Sequence, residues 1–144
     1  MMPGMGKLDG HCLCGSISYT SDAEPVAQAI CHCRNCQRQT GTAFSVVAVV
    51  PADQVDVKGD TLGKHTTVNE DSGQDTERWF CTACGSPLYS ISAALPGMLI
   101  IKAGTLEDPS WLDPQLEVWG ESAQPWVSEV EGRPRMPRSP QAAA

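Results

Sequence analysis

Apolar residues in this chain come in short runs broken by Gly, Pro and polar clusters, with no long helical stripe. The longest run, Val46 to Val50, reads with Phe44 as the strand 44–50, ended by Pro51. Ser16 to Thr20 alternates like a half-buried strand, and Val26 to Ile30 runs as a second strand into a cysteine cluster. Asn35 to Gln39 is polar and predicts one helical turn. Further strands are expected over 61–69, 98–103 and 116–120, with a turn at Glu70 to Asp75. Glu77 to Phe80 leads into a cysteine pair and Pro87 to Ser92 leads out of it, the pattern of a hairpin with cysteines at its tip. Short strands joined by Gly/Pro turns predict a mainly β fold. One domain is expected over 10–132, between a flexible lead (1–9) and a tail (133–144) whose RPRMPRSPQAAA has no apolar periodicity.

Composition narrows the classes of function. The chain has 144 residues, 41% hydrophobic but only 6% aromatic, so its core is modest and metal crosslinks would help to hold it. The formal charge of -7, with no basic run that could track a phosphate backbone, argues against nucleic acid as a partner. An anionic substrate would need a local basic patch. No stretch approaches the ~20 apolar residues of a membrane span. Met1 to Gly10 lacks the apolar core of a secretory signal, so a cytoplasmic location with reduced thiols is expected.

The seven cysteines fall in three clusters: Cys12 and Cys14; Cys31, Cys33 and Cys36; Cys81 and Cys84. Sulfurs that must converge at about 2.3 Å from one ion need such close spacing. Gly15 follows Cys14 and Gly85 follows Cys84, whereas Cys36 is followed by Gln37. A glycine after the second cysteine can take positive φ and turn backbone N–H groups toward sulfur. The two glycine-ended turns are therefore expected to share one structural zinc on Cys12, Cys14, Cys81 and Cys84. Cys31, Cys33 and Cys36 are left as a three-ligand site with an open position, the donor set of catalytic zinc. Disulfides, a thioredoxin-like C-x-x-C, pairing of Cys12 and Cys14 with Cys33 and Cys36, and closure by His11, His32 or His65 are the competing readings.

The segments GHCLCGSISY, CHCRNCQRQTGTAF, RWFCTACGSPLY, AGTLEDP and PQLEVWGESAQPW occur in this order. Together they resemble the glutathione-dependent formaldehyde-activating enzyme family, which includes centromere-protein-V-like members. The resemblance runs from about Gly10 to about Trp126. It implies an Mss4-like fold, a small zinc-stapled protein of packed antiparallel sheets, and the same division of the cysteines into structural and catalytic zinc. It also implies a carbon–sulfur lyase that adds glutathione to formaldehyde. Glu117 stands where relatives often carry histidine.

For that activity the partners are a small thiol and an aldehyde. A thiol taking the open zinc position would become thiolate at neutral pH. Arg34, Asn35, Gln37 and Arg38 surround the cluster as donors for an anionic thiol, and Thr40 and Gly41 follow in a turn that could offer backbone N–H groups. Phe44 is the candidate apolar wall. Lys102 is expected to be solvated or paired with carboxylates, Arg78 to make a structural pair, and Trp111, Trp119 and Trp126 to pack in the core. A glutathione carrier and a zinc-stabilised binding module are the alternative functions.

Overall fold

The computed structural model describes residues 8–69 and 72–139. The strands are β1 (Gly10–His11), β2 (Ser18–Thr20), β3 (Ala27–Cys31), β4 (Ser45–Pro51), β5 (Asp56–Lys58), β6 (Leu62–Val68), β7 (Asp75–Cys81), β8 (Pro87–Ser92), β9 (Met98–Lys102) and β10 (Leu116–Val118). Among the described residues one α-helix, α1 (Arg34–Thr40), connects β3 to β4. A three-stranded sheet has the order β1-β2-β5. A seven-stranded sheet has the order β10-β3-β4-β9-β8-β7-β6. The mainly β class of packed sheets holds, with one departure from an antiparallel plan: β10 pairs parallel to β3.

Register sorts the large sheet into two unlike faces, because side chains alternate across a strand. Ala48, Val50, Leu99, Ile101 and Tyr89 fall on the face that packs with Leu8, Ile17, Tyr19 and Leu106 in the core. The opposite face carries Cys31, Ser45, Lys102, Ser90 and Arg78, which follow from the pairings Cys31↔Ser45, Val47↔Lys102 and Arg78↔Ser90. Ser45, Lys102, Ser90 and Arg78 are all buried. This sheet therefore has one wholly apolar buried face and one on which these polar groups stand beside Val47 and Val49, and the latter adjoins α1.

Several expectations need correction. Leu8 is fully buried, so the part of the expected lead that the structure describes joins the core. Arg133 to Arg138 does not run free: Glu117 N–H donates to Pro134 O (2.8 Å) and Met136 N–H to Glu117 O (2.8 Å), extending the sheet past β10. Its lack of apolar periodicity is real, but it is anchored by backbone hydrogen bonds and charge. Residues 1–7 and 140–144, and Glu70 and Asp71 of the expected turn, lie outside the described residues. The strand at Asp56–Lys58 was not anticipated. Trp126 is 72% exposed and so is not a core tryptophan.

Candidate metal centres

The tip of the β7–β8 hairpin and the turn after β1 are built alike. Cys12 N–H donates to Ile17 O and Cys81 N–H to Ser86 O, each at 3.0 Å. Gly15 N–H closes on Cys12 O at 3.0 Å and Gly85 N–H on Cys81 O at 2.7 Å. Gly15 and Gly85 sit at φ of 80° and 82°, the left-handed region where a Cβ is strained. Leu13 N–H donates to Ser86 Oγ at 3.0 Å and ties the two turns together. The sulfurs of Cys12, Cys14, Cys81 and Cys84 thereby lie within 4.8 Å of one another. A tetrahedral ion with metal–sulfur bonds of about 2.3 Å needs sulfurs about 3.8 Å apart. Cys12 and Cys14 Sγ are 3.7 Å apart and Cys14 and Cys81 Sγ 3.9 Å apart, so the group fits such an ion.

Hydroxyls and backbone N–H groups surround these sulfurs. Ile17 N–H donates to Cys12 Sγ at 3.3 Å. The Ser86 hydroxyl and N–H lower the Cys84 pKa to about 5, and the Thr61 hydroxyl lowers that of Cys81. Burial raises that of Cys12.

The second group consists of Cys31, Cys33 and Cys36, also within 4.8 Å of one another. Cys31 ends β3, and Cys33 caps α1, its Sγ accepting from Cys36 N–H at 3.2 Å. Among the described residues no histidine, aspartate or glutamate joins either group, so the second offers three donor atoms. All seven cysteines are free, without a disulfide.

Two cations stand beside the three sulfurs. Arg78, 8% exposed, donates from Nη1 to Cys36 Sγ at 3.8 Å and to Gln39 Oε1 at 3.1 Å, and from Nε to Thr67 Oγ1 at 3.0 Å. Lys102, 6% exposed, donates from Nζ to Ser45 Oγ at 2.8 Å. Burial lowers the Lys102 pKa, while the nearby cysteines oppose that shift. Hydrogen bonds from the Cys31 and Cys33 thiols hold the Cys36 pKa well below the ordinary thiol range, with Lys102 and Arg78 adding to it. The same contacts push Cys31 well above that range. Neither cation was expected here. Arg78 is not a structural ion pair, because alternation sends Glu77 to the other face, where it meets Lys64 and Trp79. Lys102 is not solvated, because β9 lies in the sheet interior between β4 and β8. The signal was present in the run at Val46 to Val50: a strand apolar on both faces is covered on both, and so is its neighbour.

The residues expected to hold an anionic thiol separate into two sets. Asn35 lines a cleft of about 280 Å³ together with Gln39, His65, Thr67, Arg78 and Phe80. Phe44 packs edge-on against His32, with ring centroids 5.6 Å apart. Gln37, by contrast, is buried and spent on structure, its Nε2 donating to His32 O (2.6 Å) and Ser122 O (3.0 Å). Arg34 is exposed and donates to Gln37 Oε1. Arg38 is exposed in the last turn of α1. Gly41 caps that helix at φ 72°, its N–H donating to Gln37 O at 2.9 Å, and the Thr40 hydroxyl donates to Cys36 O at 2.8 Å. The Gly41 N–H is therefore not available to a ligand.

Behind Cys31 and Cys33 lies a buried ionic cluster. His32, fully buried, meets Glu117 through Nε2 at 2.6 Å. Arg133 and Arg135 donate to the Glu117 carboxylate from Nε at 3.1 and 2.8 Å. Burial pushes the Glu117 pKa up, but these three hydrogen bonds outweigh it and hold the carboxyl below its ordinary value.

Comparison with known proteins agrees with this architecture. A protein of Talaromyces marneffei named "Putative glutathione-dependent formaldehyde-activating enzyme" is 33% identical over 78% of this chain and 60% of its own length. One of the same name from Podospora anserina is 30% identical over 78% of this chain and 55% of its own. An "Uncharacterized lyase" of Schizosaccharomyces pombe is 28% identical over 59% of this chain and 58% of its own. The chain thus spans rather less than two thirds of the curated relatives it matches. A crystal structure of a Rhodobacter sphaeroides protein shares the fold, with a TM-score of 0.56 at 19% identity over 74% of this chain and 92% of that one. The family model for glutathione-dependent formaldehyde-activating enzymes matches residues 7–122, which hold every cysteine described above, and this chain belongs to that family.

Proposed function

We propose that this protein is a zinc-dependent carbon–sulfur lyase that joins glutathione to formaldehyde at the group of Cys31, Cys33 and Cys36. The observation that carries the reading is three converging sulfurs that no fourth protein ligand joins among the described residues, set against two buried cations that no described carboxylate pairs with. Zinc bound there would supply the positive charge that turns an incoming thiol into thiolate near neutral pH. The chain's own residues do the rest. Arg78 and Lys102 favour a negatively charged newcomer, Cys33 is fixed by its cap to α1, and Phe44 shields one side from water. In the addition the thiol sulfur forms a bond to the carbonyl carbon, the C=O π pair moves to oxygen, and the thiol's proton ends on that oxygen as S-hydroxymethylglutathione. No electrons are exchanged with any other reactant. The gain comes from proximity and from the ionised sulfur. Seven free thiols suit a reducing compartment such as the cytoplasm.

The test is a glutathione titration of cobalt-substituted protein followed by sulfur-to-cobalt charge-transfer absorption, alongside the rate of carbon–sulfur bond formation. Bands that grow and saturate, with a rate above the uncatalysed one, are expected, and Cys33→Ser abolishes both. Saturating bands without acceleration would make the protein a glutathione carrier. Bands that never change with both groups loaded would make it a zinc-stabilised binding module.

A further inference from the structure

Arg78 is a guanidinium more than nine-tenths buried, and among the described residues it has no carboxylate partner. Burying a cation in that way is costly unless an anion completes it. Its five N–H bonds are only partly used. Nε–H goes to Thr67 and the Nη1 hydrogens to Gln39 and Cys36, while Nη2 meets no acceptor among the described residues. The same side chain lines the 280 Å³ cleft that runs from Asn35 and Gln39 of α1 to His65 and Thr67 of β6. One cation therefore faces both the three-sulfur group and an open cleft.

We propose that Arg78 is the specificity-determining residue for the thiol: its guanidinium anchors a carboxylate of the incoming thiol in this cleft while the thiol's sulfur meets the three-cysteine group. The inference rests on the function proposed above and deepens it, naming the side chain that would select the thiol by its carboxylate. The spacing agrees. Nη1 lies 3.8 Å from Cys36 Sγ, so an ion about 2.3 Å from that sulfur is at most about 6 Å from Nη1. In a short peptide, one to two extended residues between sulfur and carboxylate span roughly 3.5–7 Å, which bridges that distance. The amides of Asn35 and Gln39 and the side chains of His65 and Thr67 line the rest of the cleft with partners for peptide groups. Arginine suits the role because its fork can bind a carboxylate through two parallel N–H bonds.

The test compares glutathione with 2-mercaptoethanol, which has no carboxylate, in the same cobalt-band titration of the full chain. In the unaltered protein glutathione should half-saturate the bands at a concentration at least about tenfold lower, the scale of a charge-assisted hydrogen bond. Arg78→Gln should weaken both thiols, since it removes a cation beside the sulfurs, but glutathione at least about tenfold more than 2-mercaptoethanol, with Arg78→Lys recovering part of the difference. Gln39→Glu, at the side chain that already accepts from Arg78 Nη1, covers the case in which Arg78→Gln does not fold. Its new carboxylate occupies the guanidinium and should weaken glutathione at least fivefold more than 2-mercaptoethanol. Unchanged glutathione affinity in these variants, or equal weakening of both thiols, would overturn the assignment. Bands that respond to neither thiol in the unaltered protein would instead remove the metal-site reading, and this inference with it.

Discussion

The four-sulfur group lies where two glycine-ended turns meet, and its neighbours are hydroxyls and backbone N–H groups. Among the described residues, no lysine or arginine hydrogen-bonds to it. The three-sulfur group lies beneath α1 on the polar face of the large sheet, with Arg78 and Lys102 buried beside it. Formal charge separates the two. A divalent ion on four thiolates is a site of net minus two, complete in ligands and in contact with nothing that invites another anion. A divalent ion on three thiolates is net minus one, and the two cations bring the surroundings to plus one, which a fourth, incoming thiolate would neutralise. Under the function proposed above, the same element, sulfur, would serve closure in one place and openness in the other, and the nearby cations would make the difference.

The contrast breaks most sharply by removing one sulfur from each group. Cys81→Ser, at a fully buried ligand linking the hairpin to the chain's first turn, should remove most of a stability on the order of 5–15 kcal/mol, because a structural metal's binding energy is folding energy. Loss of the cooperative transition in thermal circular dichroism checks it. Cys33→Ser should instead keep that transition, lose one metal equivalent by elemental analysis and lose activity. If Cys33→Ser unfolds the protein as Cys81→Ser does, the division into a structural and an open site is wrong.

The ionic cluster behind the open group gives a smaller effect. Glu117→Gln leaves the cations Arg133 and Arg135 without their buried counter-charge and should cost on the order of 3 kcal/mol in denaturant unfolding. Because the folded-state pKa of Glu117 lies below its unfolded value, its contribution is present in full above the ordinary carboxylate range and fades as pH falls through the folded-state pKa. The difference between the unaltered protein and Glu117→Gln should therefore shrink at acid pH. A gap that stays constant down to pH 2 would deny the ion cluster its role.

Arg38→Ala sharpens the comparison at its weakest point. Arg38 is basic and close in sequence to Cys36, yet it points to solvent, so the change should stay within about 0.5 kcal/mol in stability and twofold in glutathione half-saturation. A larger loss than that of Arg78→Gln would mean that proximity along the chain, not burial, selects the anion-binding arginine.

Much of this architecture was legible in the chain, for local reasons. The strand at Val46 to Val50 and the hairpin flanking Cys81 and Cys84 follow from short-range pattern, as does the helical turn after Cys33. So does the kinship of the two glycine-ended turns, since positive φ at Gly15 and Gly85 is a local requirement. Glu117 stood out in the sequence only as a departure from relatives that often carry histidine there, with no partner in view.

What the sequence by itself determined was therefore which residues can bind metal and which segments extend. Spacing and backbone stereochemistry act over a few residues and leave a mark in composition. Only the tertiary structure decided which cations face the open sulfurs. Arg78 and Lys102 lie 42 and 66 positions after Cys36 and reach it through strand register, a long-range property in which a shift by one residue would send each to the opposite face. The tertiary structure likewise seated Arg133 and Arg135 on Glu117, because a buried carboxylate draws its partners from wherever the fold can supply charge.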